Sequence, residues 1–165
     1  MWVWILWVAV GLVVLGLGLA LTVVVTMRTK NPRGLGVIRR FHRRYTNRSM
    51  LRDAGEPGAY AALIRHVGRR SGKPYATPIG VFPKDDGFLV LLPYGADADW
   101  LRNIRAAGSA ELRADGRTHL VRPQVVGLAE ALPYLSAGNR RIVRLLGLVD
   151  FLVLRPAPVP ADDGR

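Results

Sequence analysis

Hydrophobic positions follow two different patterns along this chain of 165 residues, and the first is an unbroken apolar stretch. From Trp2 to Met27 the sequence carries no charged residue. A helix of about 20 apolar residues crosses the hydrocarbon core of a bilayer, so this stretch is long enough to span one with some tilt. The pattern predicts a transmembrane anchor over residues 1–27.

A cleaved signal peptide is the alternative interpretation of this stretch. Such a peptide opens with basic residues, has an apolar segment of about 7–15 residues and ends at a small-residue cleavage site. Here no Lys or Arg precedes the apolar stretch, which is also longer than that, and it ends in the sequence LTVVVTM. We therefore expect an anchor that is not cleaved.

Basic residues follow the anchor in a dense group without any acidic residue among them. They are Arg28, Lys30, Arg33, Arg39, Arg40, Arg43, Arg44, Arg48 and Arg52. Basic residues close to a membrane span tend to stay on the cytoplasmic side. We expect a single-pass protein of the cell membrane, with its N-terminus outside and its domain in the cytoplasm. The absence of cysteine agrees with that compartment and excludes disulfides and cysteine nucleophiles.

Residues 28–58 are predicted to form a basic juxtamembrane amphipathic helix and a linker. Within them, Ile38, Phe41 and Tyr45 recur at helical spacing with arginines between them. Such a helix can lie on lipid headgroups, pack against the domain, or cover an anionic ligand. The formal charge of +12 likewise indicates an anionic partner, which can be a lipid headgroup, a nucleic acid or a phosphorylated ligand.

From residue 59 the hydrophobic period becomes that of strands. The predicted strands cover residues 59–67, 75–83, 88–95, 109–114, 118–126 and 151–155. The predicted helices cover residues 96–108, 128–138 and 140–149. The first of these helices has Asp97 or Asp99 as its cap and Gly108 past its end. Asp115-Gly116 predicts a hairpin turn.

This order predicts one domain over residues 59–155, mainly β with short helices (α+β), followed by a disordered tail over residues 156–165. Six or so strands in about 100 residues suit a small closed or partly closed barrel. Motifs of nucleotide-binding loops, zinc proteases and serine hydrolases are absent. His42, His66 and His119 lie in different elements, so no metal site is expected. If the chain is an enzyme, a cofactor carries the difficult chemistry.

The turn between the first two predicted strands, GRRSGK at residues 68–73, concentrates positive charge. Gly68 and Gly72 permit a tight backbone whose N–H groups can form an anion-binding concavity. The side chains add donors suited to phosphate, and they come from Arg69, Arg70, Ser71 and Lys73. A solvated basic hairpin loop is the alternative interpretation.

A second cluster, LPYGADADWLRN at residues 92–103, follows the third predicted strand. Its Pro-Tyr-Gly bend leads into a helix start, where backbone donors face outward. Tyr94 is able to stack on a planar ligand, and Trp100 and Asn103 lie about one helical turn apart. Trp100 as a plain core residue is the alternative.

These two motifs, GRRSGKPYATPI and then LPYGADADWLRNIRAAG, resemble the deazaflavin-dependent nitroreductase family over residues 39–127. The resemblance implies a split β-barrel of the FMN-binding-like, flavin-reductase type, here preceded by one transmembrane helix. It also implies the deazaflavin coenzyme F-420 (F420) as cofactor. By the same resemblance, the cofactor-binding residues are Arg69, Arg70, Ser71, Gly72, Lys73, Thr77, Pro78, Ile79, Tyr94, Gly95, Trp100 and Asn103. The first four would hold its phosphate, Lys73 is a candidate further phosphate donor, and the others would line or support its ring.

Three departures from the family pattern stand out. Tyr75 occupies a position where the family has an arginine, and Lys73 is a candidate substitute. Asp99 replaces the Asn-Pro that often precedes the tryptophan. The aromatic C-terminal segment that lines the substrate pocket in some members is represented only by Tyr134 and Phe151.

The resemblance implies an oxidoreductase that passes a hydride from reduced deazaflavin to an electrophilic acceptor. Because the chain is anchored, we expect a lipophilic acceptor such as a membrane quinone, with nitro compounds as further acceptors. Tyr94, Tyr134 or water would supply the proton. The alternatives are an FMN-binding oxidoreductase of the same barrel type and a non-catalytic module that binds a cofactor or anionic lipid. Nucleic acid is a poorer fit, because no recognised fold signature accompanies the charge.

Overall fold

The computed structural model describes residues 2–41 and 50–157. Its helices are α1 (Val3–Thr29), α2 (Pro32–Phe41), α3 (Asp99–Ala107), α4 (Leu128–Ala131) and α5 (Ala137–Leu146), with a 3₁₀ turn at Leu132–Tyr134. Its strands are β1 (Ala62–Val67), β2 (Pro74–Ile79), β3 (Phe82–Lys84), β4 (Gly87–Leu91), β5 (Ala110–Ala114), β6 (Arg117–Gly127) and β7 (Asp150–Pro156). Residues 42–49 of the predicted juxtamembrane helix and residues 158–165 of the predicted disordered tail lie outside the described residues.

The seven strands form one antiparallel sheet in the order β2-β1-β5-β6-β7-β4-β3. Its two edge strands are neighbours in sequence, joined only by Gly80 and Val81. A flat sheet of this size would hold its edges about 29 Å apart. Two linking residues bridge at most about 11 Å. The sheet therefore curls back on itself, and the predicted mainly β fold of the split-barrel type is confirmed.

Two hydrophobic clusters lie on opposite faces of the strand pair β4–β7. Along β7, Leu152 and Leu154 belong to the first cluster, whereas Phe151 and Val153 belong to the second. All four are essentially inaccessible to solvent. Successive side chains of a strand point to opposite faces, so this continuous apolar run is explained by burial on both sides. Helix α3 covers the first cluster and α5 covers the second.

Two predictions about local structure are corrected. The strand predicted over residues 75–83 is two strands, because the chain passes from one sheet edge to the other at Gly80-Val81. The prediction that Asp97 or Asp99 caps α3 is wrong, since the N-cap is Ala98 and no side chain caps it. Gly108 does end the helix in the left-handed conformation, with φ 76°.

One described helix, α1, is long and apolar enough to cross a membrane. Its side chains are exposed along residues 3–22 and partly buried at Val23, Val24, Thr26 and Met27. There the helix meets α2 and α5. A Cβ on Gly34 of α2 would collide with the Thr26 side chain, so glycine is needed for this close approach.

Candidate active site

The turn at residues 68–73 is closed by its own backbone. The Gly68 N–H donates to the Lys73 carbonyl at 2.8 Å, and the Gly72 N–H donates to the Gly68 carbonyl at 2.8 Å. Gly72 has φ 65°, and open space surrounds the position that a Cβ would take. Gly68 is enclosed instead, because a Cβ there would collide with Ser71 and would lie 2.8 Å from the Tyr75 ring. The turn therefore has a fixed backbone with one open side.

Arg69 joins this turn to α3 rather than projecting into solvent. Its backbone N–H and its Nη1 both donate to Oδ1 of Asn103, at 3.2 and 2.8 Å. Its Nη2 lies 3.3 Å from Oδ1 of Asp99, with the Arg69 side chain 24% exposed. The first arginine of the motif is thus committed to an internal contact in this structure.

Asn103 passes the same network on to His66. The Asn103 side chain is buried and its oxygen faces two donors from Arg69, so its amide nitrogen faces Nδ1 of His66 at 3.2 Å. Nδ1 must then accept, which leaves Nε2 to donate to Oγ1 of Thr77 at 3.1 Å. Burial lowers the pKa of His66, which keeps this neutral tautomer at physiological pH.

Two cations of the turn stay available for a ligand. Arg70 and Lys73 are exposed and make no side-chain hydrogen bond or ion pair within the part of the chain that the structure describes. Oγ of Ser71 accepts from the Lys73 backbone N–H and lies 3.4 Å from the Tyr75 hydroxyl. Two unpaired cations beside an exposed left-handed glycine suit an anionic group.

The Pro-Tyr-Gly bend after β4 is held by helix α2. Nη2 of Arg39 donates to the Tyr94 carbonyl at 2.9 Å, and the Gly95 N–H donates to the Leu92 carbonyl at 2.9 Å. Nε of Arg39 is buried and finds no acceptor among residues 2–41 and 50–157. Burial raises the pKa of the Tyr94 phenol, so the hydroxyl stays protonated at neutral pH.

Three other predicted site residues contact the protein core. Trp100 packs against the first hydrophobic cluster, Ile79 belongs to that cluster, and Pro78 is buried opposite Leu63 in the hairpin. Their side chains pack inside the sheet or against α3, so they are not free to contact a ligand fully. A ligand on this surface would meet the backbone here and the partly exposed indole of Trp100.

The two C-terminal aromatic residues are likewise engaged in packing. The Tyr134 hydroxyl donates to Oδ2 of Asp85 at 2.9 Å, and its ring lies 4.1 Å from Nζ of Lys84. Phe151 is completely buried in the second cluster. Of the two tyrosines predicted as proton donors, Tyr134 therefore serves the β3–β4 turn, whereas Tyr94 lies in the bend that leads to α3.

Neither His66 nor Arg39 is among the site residues predicted from the sequence. In the sequence, His66 is a candidate metal ligand without a partner, and Arg39 is one of many juxtamembrane charges. The available signal for His66 was the hairpin register, which pairs it with Tyr75, two residues from Thr77 and on the same face of the sheet. No local pattern marks Arg39, because its partner lies 55 residues away.

Comparison with known proteins identifies the family of the chain. The family profile described as F420H(2)-dependent quinone reductase matches residues 37–136. A search of curated proteins found no significant match. The solved structures that resemble the chain include an F420-H2 dependent reductase, FDR-A, with 13% identity over 58% of this chain and 94% of that chain and a TM-score of 0.44. A second, an F420 reductase, has 14% identity over 59% and 86% of the two chains and a TM-score of 0.40.

A protein of unknown function from Agrobacterium tumefaciens is similar at 15% identity over 59% of this chain and 48% of that chain, with a TM-score of 0.45. At TM-scores below 0.5 these structures decide nothing, and the assignment rests on the family match, which covers more than half of the chain. The match confirms the predicted enzyme class and cofactor. The chain belongs to the F420H(2)-dependent quinone reductase family, and is a deazaflavin-dependent oxidoreductase with F420 as its cofactor.

Proposed function

We propose that the chain is a membrane-anchored reductase that acts on a lipophilic electrophile, a quinone in the first place and nitro compounds in the second. The observation that carries this proposal is the bond from Arg39 of α2 to the Tyr94 carbonyl, at 2.9 Å. Helix α2 begins three residues after α1 ends and measures about 15 Å. The Tyr94 bend is thus separated from the C-terminal end of α1 by about the length of α2.

The described residues fit F420 by the chemistry of their donors. Within residues 2–41 and 50–157, Arg70 and Lys73 are unpaired cations beside the open side of Gly72, and Nε of Arg39 is a buried donor without an acceptor. An anionic cofactor tail needs such donors. Arg70, Ser71, Gly72 and Lys73 would hold the phosphate, so Lys73 would supply the charge that Tyr75 does not. The cofactor, when bound, supplies the hydride.

The remaining candidates would act on the geometry of the site. Arg69, Asn103 and His66 would keep the turn at a constant distance from α3. Thr77, Pro78 and Ile79 would present backbone along the ring, with Tyr94, Gly95 and Trp100 on its other borders. Tyr94 would donate the proton that the reduced acceptor needs, because its buried phenol stays protonated at neutral pH.

The same proposal divides the chain into three segments and a tail. Residues 1–27 are the anchor, residues 28–58 the juxtamembrane segment, residues 59–155 the cofactor domain and residues 156–165 the tail. The basic residues after α1 support an outer N-terminus and a cytoplasmic domain. The packing of Val23, Val24, Thr26 and Met27 against the domain favours an anchor over a cleaved signal, because cleavage would expose that surface.

Cofactor binding is the first test. The full chain in detergent micelles should quench or shift F420 fluorescence at micromolar cofactor. Arg70→Ala with Lys73→Ala should weaken binding by about 100-fold or more, because two charge-assisted bonds of about 1.5 kcal/mol or more each are lost. The matched control, Arg117→Ala with Arg122→Ala, removes the same charge from exposed positions of β6 and should leave the affinity unchanged. Equal effects of the two pairs would show that net charge alone binds the cofactor, and would contradict a phosphate site at the turn.

Acceptor choice is the second test. In vesicles, the full chain with reduced F420 should turn over a long-chain quinone in the bilayer faster than a water-soluble quinone of the same ring. Equal rates for both would contradict the lipophilic acceptor and leave the reductase assignment in place. A protein that co-purifies with FMN and does not bind F420 would contradict the assignment of F420 as the cofactor.

A further inference from the structure

Helix α5 has an exposed apolar strip that the domain does not cover. Ile142, Leu145 and Val149 are 45%, 54% and 52% exposed; the first two lie at i, i+3 spacing on one side of the helix, and Val149 follows its C-terminal end. The neighbouring side of α5 carries Val143 and Leu146, which pack into or against the second hydrophobic cluster. The helix therefore has more apolar surface than the core uses.

The exposed strip lies beside the end of α1. Nη1 of Arg28 donates to the Leu145 carbonyl at 3.4 Å, and Nζ of Lys30 lies 3.2 Å from Oδ2 of Asp150. Gly147 ends α5, and a Cβ at that position would lie 3.6 Å from Cγ of Arg28. These contacts fix α5 at the depth of the last turn of α1.

The length of α1 gives that depth relative to a bilayer. Its 27 residues measure about 40 Å, whereas the hydrocarbon core is about 30 Å thick and takes about 20 residues. With the exposed residues 3–22 in the core, the last turns extend about 10 Å into the headgroup layer. The same turns carry the residues that the domain partly buries, from Val23 to Met27. Both observations place the domain contact, and α5 with it, among the headgroups.

The charges of α5 complement such a surface. Arg141 and Arg144 are exposed and form no ion pair within residues 2–41 and 50–157, and they follow the apolar strip around the helix. Apolar residues bordered by arginines are the pattern of helices that lie in the plane of an anionic membrane.

We propose that α5 is a second membrane contact, lying in the headgroup layer of an anionic bilayer with Ile142, Leu145 and Val149 at the acyl boundary and Arg141 and Arg144 on lipid phosphates. The inference rests on the proposed anchoring by α1. The contacts with α1 set the depth of α5, and the second membrane contact fixes which face of the domain meets the lipid. It thereby holds α2 and the Tyr94 bend in one orientation towards acceptors in the bilayer.

The absence of cysteine allows a direct test by single labelling sites. An environment-sensitive fluorophore is attached to the full chain at Leu145→Cys, Leu12→Cys or Leu120→Cys. Leu12 lies within α1, and Leu120 is a leucine of β6 that is 38% exposed. Leu120 is seven residues, about 23 Å, from Gly127, which pairs with Asp150 at the membrane end of the sheet. Vesicles contain phosphatidylcholine and phosphatidylglycerol with a spin-labelled lipid as quencher.

The inference predicts blue-shifted emission and lipid quenching for the labels at residues 12 and 145, and neither for the label at residue 120. Quenching at residue 12 with residue 145 behaving like residue 120 overturns the second contact and leaves the anchor in place. No quenching at residue 12 overturns the anchor and the inference together. A blue shift at residue 145 without lipid quenching indicates a protein partner, such as a second copy of the chain, and overturns the inference.

The charged part of the contact has its own variant. Arg141→Gln with Arg144→Gln should reduce quenching at residue 145 at least twofold in anionic vesicles. Arg117→Gln with Arg122→Gln, which removes equal charge from β6, should not change it. An equal loss for both pairs would contradict a local contact of α5 with lipid phosphate.

Discussion

The hydrogen bonds of one buried side chain of α3, Asn103, join this helix to the turn at residues 68–73 and to His66, and are called the bridge below. Asn103→Ala therefore removes them together. The substitution removes the acceptor of two Arg69 donors and leaves Nδ1 of His66 without its donor. A neutral hydrogen bond contributes about 0.5–1.5 kcal/mol net, and a bond to a charged group about 1.5–3 kcal/mol. The Arg69 guanidinium is 24% exposed and retains Asp99, so the lower end applies to it.

We therefore expect Asn103→Ala to lower the free energy of unfolding by about 2–4 kcal/mol, a large part of a typical domain's stability. Urea unfolding of the full chain in micelles, followed by circular dichroism, measures this change. A turn no longer held to α3 should also bind F420 about 10-fold more weakly, which corresponds to about 1.4 kcal/mol. Asn139→Ala is the matched control, because the Asn139 side chain makes no hydrogen bond to any described residue.

Asn103→Asp separates the role of the amide from that of the oxygen. The carboxylate still accepts from Arg69 but presents a second oxygen to Nδ1 of His66, which should raise the pKa of that histidine. Stability from this pair would then be present below the ordinary histidine pKa and lost as the pH rises through the raised folded value, opposite to the wild type. A loss below about 0.5 kcal/mol in Asn103→Ala, with the affinity for F420 unchanged, would refute the bridge.

Three further outcomes follow from the same geometry. Burial lowers the pKa of His66, so the unfolded chain takes up a proton at a higher pH than the folded chain does. The free energy of unfolding should therefore fall as the pH drops below about 6.5, and His66→Gln should weaken this dependence on pH. Gly72→Ala should cost about 1 kcal/mol in urea unfolding because its φ is 65°, whereas Gly80→Ala, with open space and no such φ, should be near neutral. Arg39→Ala should lower kcat/KM for a long-chain quinone several-fold and the stability by about 1.5 kcal/mol, the lower end for a bond from a charged donor. Among the described residues the Arg40 side chain bonds only to Gly36 of α2, so an equal loss of kcat/KM in Arg40→Ala would indicate an effect of charge alone.

The parts of the structure that local chemistry determines could be predicted from the sequence. The apolar run from Trp2 to Met27 admits one common structure, a long helix. Asp115 and Gly116 both adopt positive φ, at 48° and 73°, in the hairpin that this dipeptide predicts. The turn at residues 68–73 and its family motif could likewise be identified from the sequence. Each of these signals lies within one helix or turn, so no knowledge of distant contacts was required.

Other features depend on residues that are far apart in the chain, and only the tertiary structure decided them. Residues 75–83 have one continuous strand pattern, and they divide because the curled sheet takes them from one edge to the other. Arg69 and Arg70 are adjacent and chemically identical, yet only Arg69 meets Asn103, 34 residues away, and so becomes part of the scaffold. The sequence by itself determined the long apolar helix, most of the strands and the cofactor family, whereas the fold decided which cations remain available to a ligand. The physical reason is that a side chain's role depends on its partners, and those partners are brought together only when the sheet closes.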